Sequence, residues 1–137
     1  MDKKVLFING SPNKNGNTVS IMKKNYHEFD QLDLVDYKIY GYGQTFKDDQ
    51  FQEVVEQIYN YDVIVLGSPV YWHNMSGMIR NLLDRFYGHV KENIFEDKQM
   101  QFIIQGAAPE QWMIDDSEYT IKRFCKLYGF EYKGLIK

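Results

Sequence analysis

Cysteine is almost absent from this 137-residue chain: Cys125 is the only one. A single thiol forms no internal disulfide and supplies no pair or cluster for a zinc or iron–sulfur site, so neither a disulfide scaffold nor a metal centre is expected. Long apolar runs are missing as well. "VLFI" at 5–8 stands behind lysines but ends in Asn-Gly, too short for a signal-peptide core, and no segment approaches the ~20 apolar residues of a membrane helix. A basic face is also lacking, because sixteen Lys and Arg against nineteen Asp and Glu leave a net charge of −3, with no basic cluster longer than a lysine pair. Nucleic acid, whose binding needs a phosphate-neutralising face, is a poor candidate partner. These absences lead to the expectation of a cytoplasmic protein with no membrane and no nucleic acid among its partners.

What is present suffices for one folded domain over residues 1–137. Apolar residues make up 44% of the chain and aromatics 16%, enough for a core. Three runs, "VLFI" at 5–8, "VIVL" at 63–66 and "FII" at 102–104, are apolar without alternation, the pattern of strands covered on both faces. Helical stripes lie between them: Val19, Met22, Tyr26 and Phe29; Phe51, Val54, Val55 and Ile58; Met75, Met78, Ile79, Leu82, Leu83 and Phe86; Ile121, Phe124, Cys125 and Tyr128. "QLDLVDY" at 31–37 and "FEYKGLIK" at 130–137 are more polar and read as edge strands. Strict alternation of strand and helix predicts an α/β domain with right-handed crossovers and helices on both faces of a parallel sheet.

In such a sheet ligands sit beyond the carboxyl ends of the strands, where connections diverge. The two loops at that place are the most unusual in the chain. "NGSPNKNGNTV" at 9–19 packs Gly10, Pro12, Gly16 and several asparagines between strand and helix. Backbone N–H groups and the helix dipole there can hold an anion without lysine, with side-chain donors from Ser11, Asn13, Asn17 and Thr18; Asn17 or Thr18 would serve as N-cap. The plain alternative is a polar turn that only caps a helix. A Walker loop is ruled out, since Asn15 stands where its second glycine would be, and "GYGQTF" at 41–46 ends in Phe46 and so fails the G-x-G-x-x-G pattern. The second loop, "GSPVYWHNMSG" at 67–77, offers a rigid Pro69 and the flat faces of Tyr71 and Trp72. Alone, that aromatic pair is a core or dimer contact; beside a phosphate-type loop, it suits a planar heteroaromatic ring.

"NGSPNKNGNT" followed by "GSPVYWHNMSGMIRNLLDRF" resembles the flavodoxin-like NAD(P)H-dependent FMN reductase and quinone reductase superfamily, whose members often carry a G-S-P-R-x-x-G-N-T loop and an S-P-V-Y-W segment. The resemblance implies a flavodoxin-like three-layer sandwich with a five-stranded parallel sheet of order 2-1-3-4-5. It implies FMN as cofactor, NAD(P)H as electron donor, and a flavin, quinone or similar small molecule as acceptor. Ser11, Asn17 and Thr18, with Asn13, would hold the FMN phosphate. Pro69, Val70, Tyr71 and Trp72 would border the ring, with Asn74 nearby, and Gly106 and Ala107 would close the site. A homodimer is the assembly the family suggests. The family's arginine after Ser-Pro is Asn13 here, and the segment after the second strand lacks the cysteines of cluster-bearing members.

The cofactor carries the chemistry in such proteins, so no side-chain acid, base or nucleophile is expected to be indispensable. Backbone N–H groups of residues 70–73 and the His73 ring are candidate donors to a reduced ring, although a solvent-exposed histidine is the simpler reading. Trp112 is either a lid over the site or plain surface. Two further functions remain open at this point: an electron carrier of the flavodoxin type, which would turn over no small substrate, and a flavin-free relative.

Overall fold

The computed structural model describes residues 2–137. Its central sheet runs β2 (Asp30–Asp33), β1 (Val5–Asn9), β3 (Val63–Tyr71), β5 (Gln99–Gln105) and β6 (Glu131–Leu135), all parallel, with β4 (Asn74–Met75) folded back antiparallel on β3. Without the short β4, this is the flavodoxin-like order 2-1-3-4-5. Four helices cover the sheet: α1 (Asn17–Asn25), α2 (Phe51–Ile58), α3 (Gly77–Phe86) and α4 (Gln111–Tyr128).

Alternate residues of the central strands enter two cores, which is why their apolar runs show no period. Val5, Phe7, Val63, Val65 and Ile103 meet Val19 and Met22 of α1 on one face. Leu6, Ile8, Ile64, Leu66, Met100 and Phe102 meet α2, α3 and α4 on the other. The single helix on the α1 side leaves room for polar residues in β5: Gln101 accepts a bond from the Tyr26 hydroxyl and Gln105 donates to Thr18. All four apolar residues of the α2 stripe, Phe51, Val54, Val55 and Ile58, are buried.

Three boundaries differ from the sequence pattern. The stretch 31–37 is only partly strand: β2 ends at Asp33, and Leu34–Asp36 form a 3-10 turn closed by Tyr37 N–H donating to the Leu34 carbonyl. Tyr26 and Phe29 lie beyond the end of α1 yet pack against its core, so their spacing mimicked another helical turn. Met75 belongs to β4 and not to α3; its buried side chain keeps the helical stripe unbroken across a hairpin.

The connection into α2 is held to α3 by the ion pair of Arg85 with Asp49. Arg85 donates to both Asp49 carboxylate oxygens and, at 2.9 Å, to the Tyr40 carbonyl, while its guanidinium lies 4.8 Å from the centre of the Phe51 ring. Asp49 also accepts from the Phe51 and Tyr40 N–H groups. Burial alone would raise the Asp49 pKa; Arg85 and those N–H groups outweigh it and hold the carboxyl below its ordinary value. A depressed native pKa means that the stabilisation is full above the unfolded value of about 3.9 and fades as pH falls through the native one. Asp49→Asn is therefore expected to cost about 2 kcal/mol at neutral pH. Urea midpoints of variant and wild type should converge on acidification; a gap that persists at acid pH would show that the charge is not the cause.

Candidate functional site

Seven residues, 10–16, join β1 to α1, and short side-chain-to-backbone bonds wind them into a coil. Asn9, wholly buried at the end of β1, accepts from Ser11 N–H at 3.1 Å and donates to the Asn13 carbonyl at 3.2 Å and to Asp33 at 2.9 Å. The Ser11 hydroxyl accepts from Asn13 N–H, and the Asn13 side-chain oxygen accepts from Asn15 N–H, each at 3.0 Å. The N-cap of α1 is Gly16, in place of the Asn17 or Thr18 anticipated from the sequence, and no side chain caps the helix. A Cβ at Gly16 would lie 2.9 Å from the exposed Asn13 side chain, so glycine lets that side chain lie close over the helix start without being displaced. The uncapped first turn keeps its N–H groups available to an anion. Asn13 and Asn17 are exposed at this end, whereas Thr18 is buried against Gly67 with its hydroxyl accepting from Gln105 at 3.2 Å.

The first loop is joined to the second by contacts that no local pattern announces. Gly10 N–H donates to the Gly67 carbonyl at 2.7 Å, and the Ser76 hydroxyl donates to the Gly10 carbonyl at 2.7 Å. Ser76 N–H in turn donates to the Ser68 hydroxyl at 2.7 Å, and the Ser76 oxygen accepts from Ile79 N–H, capping α3. A Cβ on Gly67 would lie 2.4 Å from the Phe7 ring. Asn9, Ser68, Ser76 and Gln105 thus tie the loops together, although the sequence pattern marks none of them as a candidate ligand and Ser76 only as leading into a helix; the one local signal is polar residues at the ends of apolar strands.

Beyond Gly67 the chain forms a tight hairpin. Val70 pairs with Met75 and Tyr71 with Asn74, leaving Trp72 and His73 as a two-residue turn with φ of +49° and +67°. That geometry is the I′ turn, usually built from Asn and Gly, so two bulky residues there are held in a sparsely populated conformation. Trp72 is 93% exposed and Tyr71 half exposed. Pro69 is buried beside Gln105 of β5, which brings the third loop alongside: a Cβ on Gly106 would approach Val70 to 3.3 Å, and Ala107 is exposed next to it. The Asn74 side chain is engaged with α4, donating to Asp116 at 2.6 Å and accepting from the Ser117 hydroxyl at 3.1 Å. Trp112, bonded to Glu110, packs against His73 with ring centres 5.8 Å apart, so the start of α4 supports the hairpin tip.

Three loops therefore meet at the carboxyl edge of the sheet: one with an uncapped helix start and a glycine cradle, one with exposed aromatic faces, and one closing beside them. These residues fit a flavin mononucleotide, with the anion at the helix start and the ring system against the second and third loops. Two grooves of about 530 and 640 Å³ flank α3; apart from Gly77 at the start of that helix, neither is lined by residues of the three loops. Among the described residues no three His, Cys, Asp or Glu side chains come together as metal ligands, and no helix is long and apolar enough to cross a membrane.

Comparison with known proteins agrees with this geometry. An iron–sulfur flavoprotein of Archaeoglobus fulgidus is 36% identical over 97 residues, which is 60% of this chain and 48% of that protein. The Bacillus subtilis protein YwqN, named as an NAD(P)H-dependent FMN-containing oxidoreductase, is 26% identical over 115 residues, 76% of this chain and 63% of that one. The chain thus spans about half to under two thirds of the length of these curated relatives. An FMN-dependent NADH-azoreductase from Bacillus anthracis, solved with FMN, shares the fold at a TM-score of 0.74 and 16% identity, covering 96% of this chain and 85% of that one. The sequence model of the NADPH-dependent FMN reductase family matches residues 3–114, a span that takes in the two welded loops, the hairpin and the loop after β5. With that match over most of its length and the sheet order found, the chain belongs to the NADPH-dependent FMN reductase family.

Proposed function

We propose that the protein binds FMN across these three loops and works as an NAD(P)H-dependent oxidoreductase delivering electrons to a flavin, a quinone or a similar small acceptor. The observation that carries this reading is the joint between Gly10, Gly67 and Ser76, which sets an anion-binding helix start rigidly beside an aromatic hairpin. The chemistry FMN supplies when bound is acceptance of a hydride from a reduced nicotinamide and its delivery to an oxidised acceptor.

The protein's part is positioning. Ser11, Asn13 and Asn17, with N–H groups of the first turn of α1, would bind the phosphate; Thr18 would contribute mainly by packing the helix start onto β3 and β5. Pro69, Val70, Tyr71 and Trp72 would border the ring system, and Gly106 and Ala107 would close its side. Asn74 would act through α4, holding the hairpin by its bonds to Asp116 and Ser117. Fixed donors of this kind are worth more than flexible ones, because they need no reorganisation when charge develops.

The visible spectrum of the purified protein and, if it is colourless, an FMN titration test the binding. Failure to bind FMN at micromolar concentration defeats the reading. Oxidation of NADPH or NADH with added FMN and a quinone tests turnover; bound FMN with no oxidation in the absence of a partner reductase would assign the protein to electron carriage instead. A homodimer and a cytoplasmic setting complete the proposal. Exposed Tyr42, Tyr87 and Leu127 beside the groove on α3 and α4 support the first, and the single, buried Cys125 is consistent with the second.

A further inference from the structure

The first loop is poor in free positive charge for a site meant to hold a phosphate. Its one lysine, Lys14, is 2.7 Å from Asp36 and its ammonium is held in the charged form chiefly by that bond. A second carboxylate, Asp33, sits under the loop as the acceptor of Asn9 and Gln31 side-chain donors. Two carboxylates thus face one loop cation, whereas a phosphate monoester adds about −1.5 to −2 of charge at neutral pH. Helix-start N–H groups offset part of that, roughly half a unit of charge.

Among the described residues one other cation, Lys23, bonds to the loop. Helical side chains lean toward the N-terminus, and Lys23 on α1 extends back along the helix so that its ammonium donates to the Asn15 side chain at 3.1 Å. Asn15 is in turn tied by its N–H to Asn13 at 3.0 Å. Among the described residues Lys23 has no carboxylate within ion-pair distance. Its charge therefore has no carboxylate partner, and its ammonium rests on Asn15, which lies between Asn13 and Gly16 in the loop.

We propose that Lys23 is the cationic recognition residue for the flavin phosphate in this chain, held at the rim of the loop by Asn15. The inference rests on the reading that this loop binds the phosphate of FMN. It places the site's cation on the second turn of the helix, outside the loop itself, where Asn13 offers only an amide. A charge at that position distinguishes a flavin bearing a phosphate from one without it.

The test titrates FMN and riboflavin separately into the full chain freed of flavin, following flavin fluorescence, at low and at high salt. For Lys23→Met the FMN affinity should fall about two- to fivefold at low salt, the range of a single solvent-exposed charge contact. Riboflavin affinity should not change, and the FMN loss should shrink at high salt through screening. Lys23→Arg should retain FMN binding, and Lys24→Met on the same helix should match wild type. Unchanged FMN affinity in Lys23→Met would overturn the inference, and so would an equal loss for riboflavin, which would signal a disturbed fold. Wild-type protein that binds FMN no better than riboflavin, or binds neither, would overturn the phosphate reading itself, a failure visible before any variant is made.

Discussion

Gly10→Ala is expected to destabilise the protein by about 3 kcal/mol, at the upper end of what overpacking a tight junction costs. The added methyl would lie 2.2 Å from the Ile79 side chain and 2.9 Å from the Gly67 carbonyl, the acceptor of the Gly10 N–H. The flexible end of Ile79 can shift, but the carbonyl belongs to the centre of β3 and cannot without breaking the ladder. Relief by displacing residue 10 would strain the bond from Ser76 to its carbonyl, and with it the cap of α3. FMN affinity should therefore fall together with stability, by tenfold or more if about 1.4 kcal/mol of the loss reaches the site. Gly77→Ala is the counterpart. Its Cβ would meet nothing within 4 Å and its φ is not positive, so alanine at the first position of α3 should gain about 0.5–1 kcal/mol. Urea denaturation of both variants checks the pair, and a Gly10→Ala protein as stable as wild type would deny the close approach of the two loops.

The second large effect is expected at Asn9. Asn9→Ala removes an acceptor from Ser11 N–H and donors from the Asn13 carbonyl and Asp33, all at the buried end of β1. Unsatisfied buried groups cost about 1–3 kcal/mol apiece, and water entering the vacated space recovers part of that, so a net loss of about 2–3 kcal/mol is expected. The loop would lose its coil while the helices keep theirs. The far-ultraviolet circular dichroism of the folded variant should match wild type, while FMN binding weakens by tenfold or more. Tight FMN binding by folded Asn9→Ala would mean that the loop's own turns shape it without the strand. The backbone pairing of Leu6–Asn9 with Asp30–Asp33 is untouched in that variant and keeps β2 in register, and Gln31 still donates to Asp33, which confines the damage to the loop.

Much of the architecture could be read from local signals. The runs at 5–8 and 63–66 are buried on both faces, and the four apolar residues of α2 and those of α3 from Ile79 to Phe86 face the core as their spacing requires. Local pattern and structure part where tertiary contacts override the pattern. Met75 continued a helical stripe, yet Asn74 and Met75 pair with β3, because Ser76 is the residue whose hydroxyl can cap α3. Leu34 looked like an extension of β2, but Asp33 is drawn to Asn9 and Gln31 and the chain turns immediately after it.

Chain order and periodicity were enough for an α/β sheet of five parallel strands and for the two loops at its carboxyl edge, since burial on one face or two leaves its mark on neighbouring residues. How those loops make one site was decided by groups far apart in sequence: Ser76 on Gly10, Gln105 on Thr18, and Trp112 against His73. The turn that sets Trp72 and His73 at positive φ likewise exists only because β4 pairs with β3. Hydrogen bonds and van der Waals contacts of this kind act over a few ångströms of space, whatever the chain distance between partners, so no spacing of residue types records them and only the folded chain brings them together.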